Sequence, residues 1–200
     1  MALSDHLKTL SDTVETVNDA ALDAARSTIE DYGEPAYYLF TAVQFGNVHM
    51  RIDITDEQDR LRYYTKSSPF VLFGKTEIMD PDGKIVARLS KKPISAHELH
   101  YITMADGQHF TMSNELFHAV DDITNIEETG WQLVGNVLGL CFNLIDADGE
   151  PIGFIEKRMI SVHNKYVIGI YRPELEAEAV AVFIQLEKMI ADRQEHDSSD

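Results

Sequence analysis

Two stretches of the chain, DPDGKIVARLSKKPISAH (80–97) and DADGEPIGFIEKRMISVH (146–163), align without a gap at a constant offset of 66. They share Asp80/Asp146, Asp82/Asp148, Gly83/Gly149, Lys91/Lys157, Ile94/Ile160, Ser95/Ser161 and His97/His163. Upstream, VLFGKTEIM (71–79) falls on VLGLCFNLI (137–145), so each copy reads as strand, tight Asp-Gly turn, strand and basic pair. A repeat constrains architecture before any local propensity does, and this one predicts a fold built largely from two similar β units.

The region between Pro35 and Tyr171 extends that reading. Short apolar and aromatic runs at 36–45, 48–54, 60–66, 69–79, 84–90, 99–104, 108–113, 131–137, 138–145, 151–157 and 165–171 are separated by turn residues, with Asp82-Gly83, Asp106-Gly107 and Asp148-Gly149 between consecutive runs. About eleven or twelve antiparallel strands are expected, with 114–130 as a connection between the two units. The last element differs in kind. PELEAEAVAVFIQLEKMIADRQ (173–194) opens on Pro173 followed by acids, a helix start, and Ala179 to Ile184 are apolar all round. Such a helix is a buried one. Gln185, Glu187 and Lys188 cut the apolar stretch far below the roughly 20 residues of a membrane span, so no transmembrane segment is expected and the sheet is expected to enclose this helix.

At the other end, Leu3, Leu7, Leu10, Val14, Val17, Ala21 and Ala24 recur at alternating spacings of four and three and make one narrow helical face. This predicts an N-terminal amphipathic helix over 1–34, closing near Gly33. Its seam fits either packing on its own domain or self-association. The expected organisation is therefore that helix, a barrel over 35–194 that includes the 173–194 helix, and an acidic tail over 195–200.

A many-stranded antiparallel barrel of two similar halves around a C-terminal apolar helix resembles the tubby C-terminal-like fold of tubby, the phospholipid scramblases and the LURP-one-related proteins. The repeated strand-DG-strand-basic units, the stretch WQLVGNVLGLCFNLIDADGEPIGFIEKRMIS, KYVIGIY and the terminal AVAVFIQLEKMI carry the resemblance, over roughly residues 60–192. It is most similar to the LURP-one-related group, and it implies fold more than function.

Charge narrows the partners. Of a net −17, residues 1–34 hold eight acids against two bases, residues 174–200 hold eight against two, and the 139 residues between hold eighteen against thirteen. No basic stripe exists to neutralise phosphates, which argues against nucleic acid. The lone Cys141 permits no intrachain disulfide and reads as a buried spectator thiol. The N-terminus MALSDHLKTLSD lacks the basic start and apolar run of a signal peptide, and a cytoplasmic protein is expected.

No catalytic constellation emerges. The twelfth position counted from Asp80 and from Asp146 is Lys91 and Lys157, where a calcium loop needs a bidentate glutamate, so the Asp-x-Asp-Gly segments read as hairpin turns. His97 and His100 lack the four-residue helical spacing of a zinc-protease motif. There is no G-x-S-x-G elbow, no Cys-x-x-Cys and no glycine-rich phosphate loop opening a helix. Neither enzymatic activity nor a metal or cofactor is expected. The basic residues Lys91, Lys92, Lys157, Arg158, Lys165 and Arg172 remain as candidates for a phosphate-bearing headgroup, provided that they converge. Tubby-type relatives bind phosphoinositides through basic residues on the barrel, so the resemblance implies that alternative. The expected function is a protein-interaction or scaffold module that recognises a protein partner, or a second copy, through its N-terminal helix and acidic ends. The alternative is binding of phosphoinositide or another anionic phospholipid headgroup.

Overall fold

The computed structural model describes residues 32–44, 51–67, 75–92, 99–113, 122–136, 141–160 and 163–197. Residues 1–31 of the expected N-terminal helix and 198–200 of the expected acidic tail lie outside them, whereas 195–197, expected in the tail, continue the C-terminal helix, which runs through Asp197. The described residues form twelve strands: β1 (Tyr37–Gln44), β2 (Arg51–Asp56), β3 (Leu61–Ser67), β4 (Thr76–Met79), β5 (Ile85–Lys91), β6 (Leu99–Met104), β7 (His109–Ser113), β8 (Asp122–Glu127), β9 (Trp131–Asn136), β10 (Cys141–Ile145), β11 (Pro151–Ile160) and β12 (His163–Ile170). Each pairs antiparallel with its neighbours in the chain, and β1 closes the sheet by pairing with β12. The result is a closed barrel.

Alternation in the sequence explains the strands. In β6, His100, Ile102 and Met104 are buried while Leu99, Tyr101 and Thr103 are half-buried, as a strand with one face in a core requires. The two Asp-Gly turns of the repeat have the same hydrogen bonds. The Asp80 carboxylate accepts from the backbone N–H of Asp82 and Lys84, at 3.0 and 2.8 Å, and Asp146 accepts likewise from Asp148 and Glu150, at 2.9 and 3.0 Å. These aspartates are spent on their own turns. Gly83 and Gly149 sit at φ +80° and +84°, which side-chain-bearing residues rarely adopt. A register shift precedes each turn, at Ile78/Met79 and at Leu144/Ile145.

Two expectations need correction. Residues 114–130 are not all connection, because β8 runs through Asp122–Glu127. Its inward residues include Thr124, and Asn125 and Glu127 are exposed, so apolar alternation is too weak to announce a strand. Of the run 69–79, Thr76–Met79 form a strand, and 69–74 lie outside the described residues. Lys157-Arg158 does not close its strand, since β11 continues to Ile160, held by pairing of Arg158 with Lys165 and Ile160 with His163.

After β12, a short 3-10 turn (Pro173–Leu175) leads into the C-terminal helix (Glu176–Asp197). Every residue from Ala179 to Leu186 is buried, as are Met189 and Ile190, and they share one core with the inward residues of the strands. The helix fills the barrel. A Cβ on Gly153 would lie 3.3 Å from the Phe183 ring and 2.9 Å from the Gly169 carbonyl oxygen, so glycine there lets the β11 backbone approach the helix. The helix makes polar contacts inside the barrel as well: Gln185 Nε2 lies 2.9 Å from His100 Nδ1, and Lys188 Nζ donates to Thr76 Oγ1 at 2.9 Å.

Ile184→Asp would put a carboxylate into this core. A loss above about 4 kcal/mol, or failure to fold, is expected. Urea unfolding measures it, and a midpoint equal to wild type would contradict the enclosed helix.

Candidate functional site at the helix-entry rim

The turns 57–60, 81–83, 105–107, 128–130 and 147–149 cap one end of the barrel, and the chain also enters the helix there from β12. Glu176, in the first helical turn, is only 5% exposed. Its carboxylate accepts from Arg62 Nη2 at 2.7 Å, from the Tyr63 hydroxyl at 2.7 Å, and from the Tyr37 hydroxyl. Two strands, β1 and β3, thereby hold the helix N-terminus, where an acid is also favoured by the helix dipole. Burial, and then the hydrogen bond to and charge of Glu176, push the Tyr37 and Tyr63 phenols well above their ordinary 10.0. The hydrogen bond to Glu176 raises Arg62 as well. Every donor of the cluster stays protonated through the physiological range, so the three hydrogen bonds that clamp β1 and β3 to the helix N-terminus persist there.

Beside the clamp lies an open depression of about 330 Å³ between Tyr37, Tyr38, Asp56, Gln58, Arg60 and Arg62. Its cations are committed: Arg60 Nε donates to Asp56 at 2.8 Å, and Arg62 belongs to Glu176. Although its surroundings desolvate Asp56 and act to raise its pKa, hydrogen bonds from the Arg60 side chain and from the N–H groups of Arg60 and Gln58 hold its carboxyl below the usual range. At the far end of the helix, the gap between Phe142, Ile155, Tyr166, Leu186 and Ile190 is only about 10 Å³. That is about the space of a single water.

The basic candidates do not form one cluster. Lys91 ends β5, half-buried and in register with the buried His100, while Lys92 is exposed with its N–H donating to the Leu99 carbonyl at 2.9 Å. For Lys157, Arg158 and Lys165 the backbone register is described: Lys157 pairs with Tyr166, and Arg158 with Lys165, across β11 and β12. In the barrel order β5 and β11 are separated by β6–β10 on one side and by β4, β3, β2, β1 and β12 on the other. The two basic pairs of the repeat therefore stand on opposite walls. Arg172 sits at the rim, with Nη1 2.8 Å from Asp146 Oδ2 and Nε 3.2 Å from Glu174 Oε1, and pins the helix entry to the β10–β11 turn. The N–H of Glu150 foremost, with Arg172 assisting, holds the Asp146 carboxyl below its usual range.

Glu57, Asp59, Asp82, Asp106, Glu128, Asp148, Glu150 and Glu174 are exposed around the same rim, against Arg60, Lys84 and the committed Arg172. The sequence reading missed the clamp: Glu176 looked like an ordinary first-turn acid, and Arg62 and Tyr63 like a plain strand. The only available signal was Arg62 beside Tyr63 and Tyr64 in a run read as a strand. Among the described residues no three His, Cys, Asp or Glu side chains come together as a metal site, and no helix is long and apolar enough to cross a membrane.

The family model for LURP-one-related proteins matches residues 44–187. A protein from Arabidopsis thaliana, known by X-ray structure, is similar at 14% identity over 78% of this chain and 94% of that one, with a TM-score of 0.49. No curated protein matches the chain.

Glu176→Gln removes the charge that three donors share, and a loss of about 2 kcal/mol is expected, discounted because Arg62 is part-exposed. Urea unfolding checks it. The clamp also has an alkaline signature. Its tyrosines ionise near 10.0 when unfolded but at higher pH when folded, so their contribution is complete below pH 10 and declines as pH rises beyond it. Tyr37→Phe/Tyr63→Phe is expected to lose less stability between pH 9 and pH 11 than wild type; equal losses would contradict the clamp.

Proposed function

The chain belongs to the LURP-one-related family, and from that premise we propose that it is a non-catalytic protein-interaction module. Its barrel is a rigid frame, and its helix-entry rim takes up a basic segment of a protein partner. The observation that carries this reading is the set of exposed carboxylates on the turns around that rim, which includes Asp82, Asp106, Asp148 and Glu174. Such a surface attracts Lys- and Arg-rich partners and steers their approach. The interior adds support, because the chain's own helix occupies the space in which other barrels hold a ligand. The tubby-like architecture in two similar halves, and a cytoplasmic setting, belong to the same proposal.

A narrower observation favours the second reading, anionic headgroup binding: Arg158 and Lys165 are cross-strand neighbours, next to Lys157. Separation of this group from Lys91 and Lys92, together with the net charge, weighs against it.

Co-sedimentation with phosphatidylcholine vesicles, alone or with phosphatidylserine or phosphoinositide, at low and moderate salt separates the two. The protein is expected to stay in the supernatant throughout. It is also expected to bind a synthetic Lys/Arg-rich peptide in a salt-dependent way that Asp82→Lys/Asp148→Lys abolishes. Pelleting with anionic vesicles that is lost in Arg158→Glu/Lys165→Glu would overturn the proposal in favour of the headgroup reading.

A further inference from the structure

Three turns at the rim are built around an aspartate in the same way. At 56–60, 80–84 and 146–150, Oδ1 accepts from the backbone N–H groups two and four residues on. Gln58 and Arg60 donate to Asp56 at 2.9 and 3.0 Å, Asp82 and Lys84 to Asp80 at 3.0 and 2.8 Å, and Asp148 and Glu150 to Asp146 at 2.9 and 3.0 Å. One oxygen of each carboxylate is thereby committed to its turn, and Oδ2 is left for another donor. In two of the turns that donor is a guanidinium: Arg60 Nε lies 2.8 Å from Asp56 Oδ2, and Arg172 Nη1 lies 2.8 Å from Asp146 Oδ2. Among the described residues Asp80 Oδ2 has no such donor. Lys84, placed relative to Asp80 as Arg60 is to Asp56, is exposed and makes no ion pair among them, and its ammonium lacks the planar fork that matches a carboxylate.

The backbone around Asp80 matches that around Asp146. The Ala105 N–H donates to the Val86 carbonyl at 2.8 Å as that of Tyr171 does to the Ile152 carbonyl at 3.0 Å, and Ala87 is in register with Met104 as Gly153 is with Ile170. Asp106 therefore stands beside the Asp80 turn where Arg172 stands beside the Asp146 turn. The position that supplies a cation to one turn supplies a second acid to the other. Close by, the Tyr64 hydroxyl lies 3.6 Å from where Gly83 would carry a Cβ, and Arg51, 4.1 Å from the centre of the Tyr64 ring, is paired with Asp53 at 2.6 Å. What remains around the turn is the set of carboxylates Asp80, Asp82 and Asp106 against Lys84.

We propose that Asp80 and Asp106 together seat the guanidinium of an arginine from the partner's basic segment, in the place that Arg172 fills for Asp146. Asp106 commits one oxygen to the Gln108 N–H at 3.0 Å and keeps the other. A guanidinium suits this pair better than an ammonium, because its forked N–H groups meet Asp80 Oδ2 and the Asp106 carboxylate at once. A merely acidic surface would take lysine and arginine alike. What distinguishes Asp80 is that both equivalent oxygens, on Asp56 and Asp146, carry an arginine from within the chain. Resting on the rim reading, the seat narrows the partner from any basic segment to one that places an arginine at the 80–84 turn.

Two synthetic peptides of equal length and charge, one with arginine and one with lysine at every basic position, test the seat by titration calorimetry of the full chain at low salt. Wild type is expected to bind the arginine peptide about fivefold more tightly. Asp80→Asn keeps an oxygen for the turn N–H groups while removing the charge, and Asp80→Asn/Asp106→Asn is expected to bind the two peptides equally. Asp59→Asn/Asp148→Asn, the same charge change on other turns of the rim, is expected to weaken both and keep the preference. Asp106→Arg supplies a guanidinium from the position that Arg172 holds in the other turn and leaves Asp80 intact, so it decides the matter should Asp80→Asn not fold. It too is expected to lose the preference. Equal binding of the two peptides by wild type, or a preference that survives in Asp80→Asn/Asp106→Asn or in Asp106→Arg, would overturn the seat and leave the acidic rim as a docking surface. Binding of neither peptide would overturn the rim reading and the seat with it.

Discussion

The structure depends on an apolar helix standing where a barrel of this size cannot fill itself. Small barrels of about eight strands are packed by their own inward side chains, and wider ones need something else on the axis. Here the inward residues of the strands and the C-terminal helix form one core, and Ala179 to Leu186 are buried in it. Neither part is stable on its own terms: the helix is too apolar to stand in water, and the sheet without it would enclose a void. Small residues at the closest approaches, Gly153 opposite Phe183 above all, let the two fit.

Electrostatics then fix how the helix enters. Glu176 gathers Tyr37, Tyr63 and Arg62, while Arg172 ties the preceding turn to Asp146. Both devices use cations that lie where a ligand-binding site would want them. The same end carries exposed carboxylates on successive turns, so its outward character is acidic while its few guanidinium groups are turned to structural work. The proposal of a basic partner at the rim, rather than a phosphate-bearing ligand, rests on this distribution of charge.

Much of the fold was legible in the sequence because its signals were local and mutually consistent. Asp-Gly turns between alternating runs marked the hairpins, and six consecutive apolar residues after Pro173 marked the buried helix. The missed strand, Asp122–Glu127, shows where that logic fails: Thr124 serves as a core residue without looking apolar, and the exposed Glu127 ends the strand on a charge. The basic pairs were visible too, yet their placement on opposite walls follows from closure of the sheet, a relation between β1 and β12 that no local pattern encodes. The clamp around Glu176 was illegible for the same reason. Its donors lie more than 100 positions upstream, and only the barrel brings them together.

Native-state hydrogen exchange tests the central claim most directly. If helix and barrel form one cooperative unit, the amides of Ala179–Leu186 exchange only through global unfolding, with the same free energy and urea dependence as the slowest amides of β11 and β12. Exchange of the helix by a separate opening of lower free energy, with the barrel amides still protected, would contradict it.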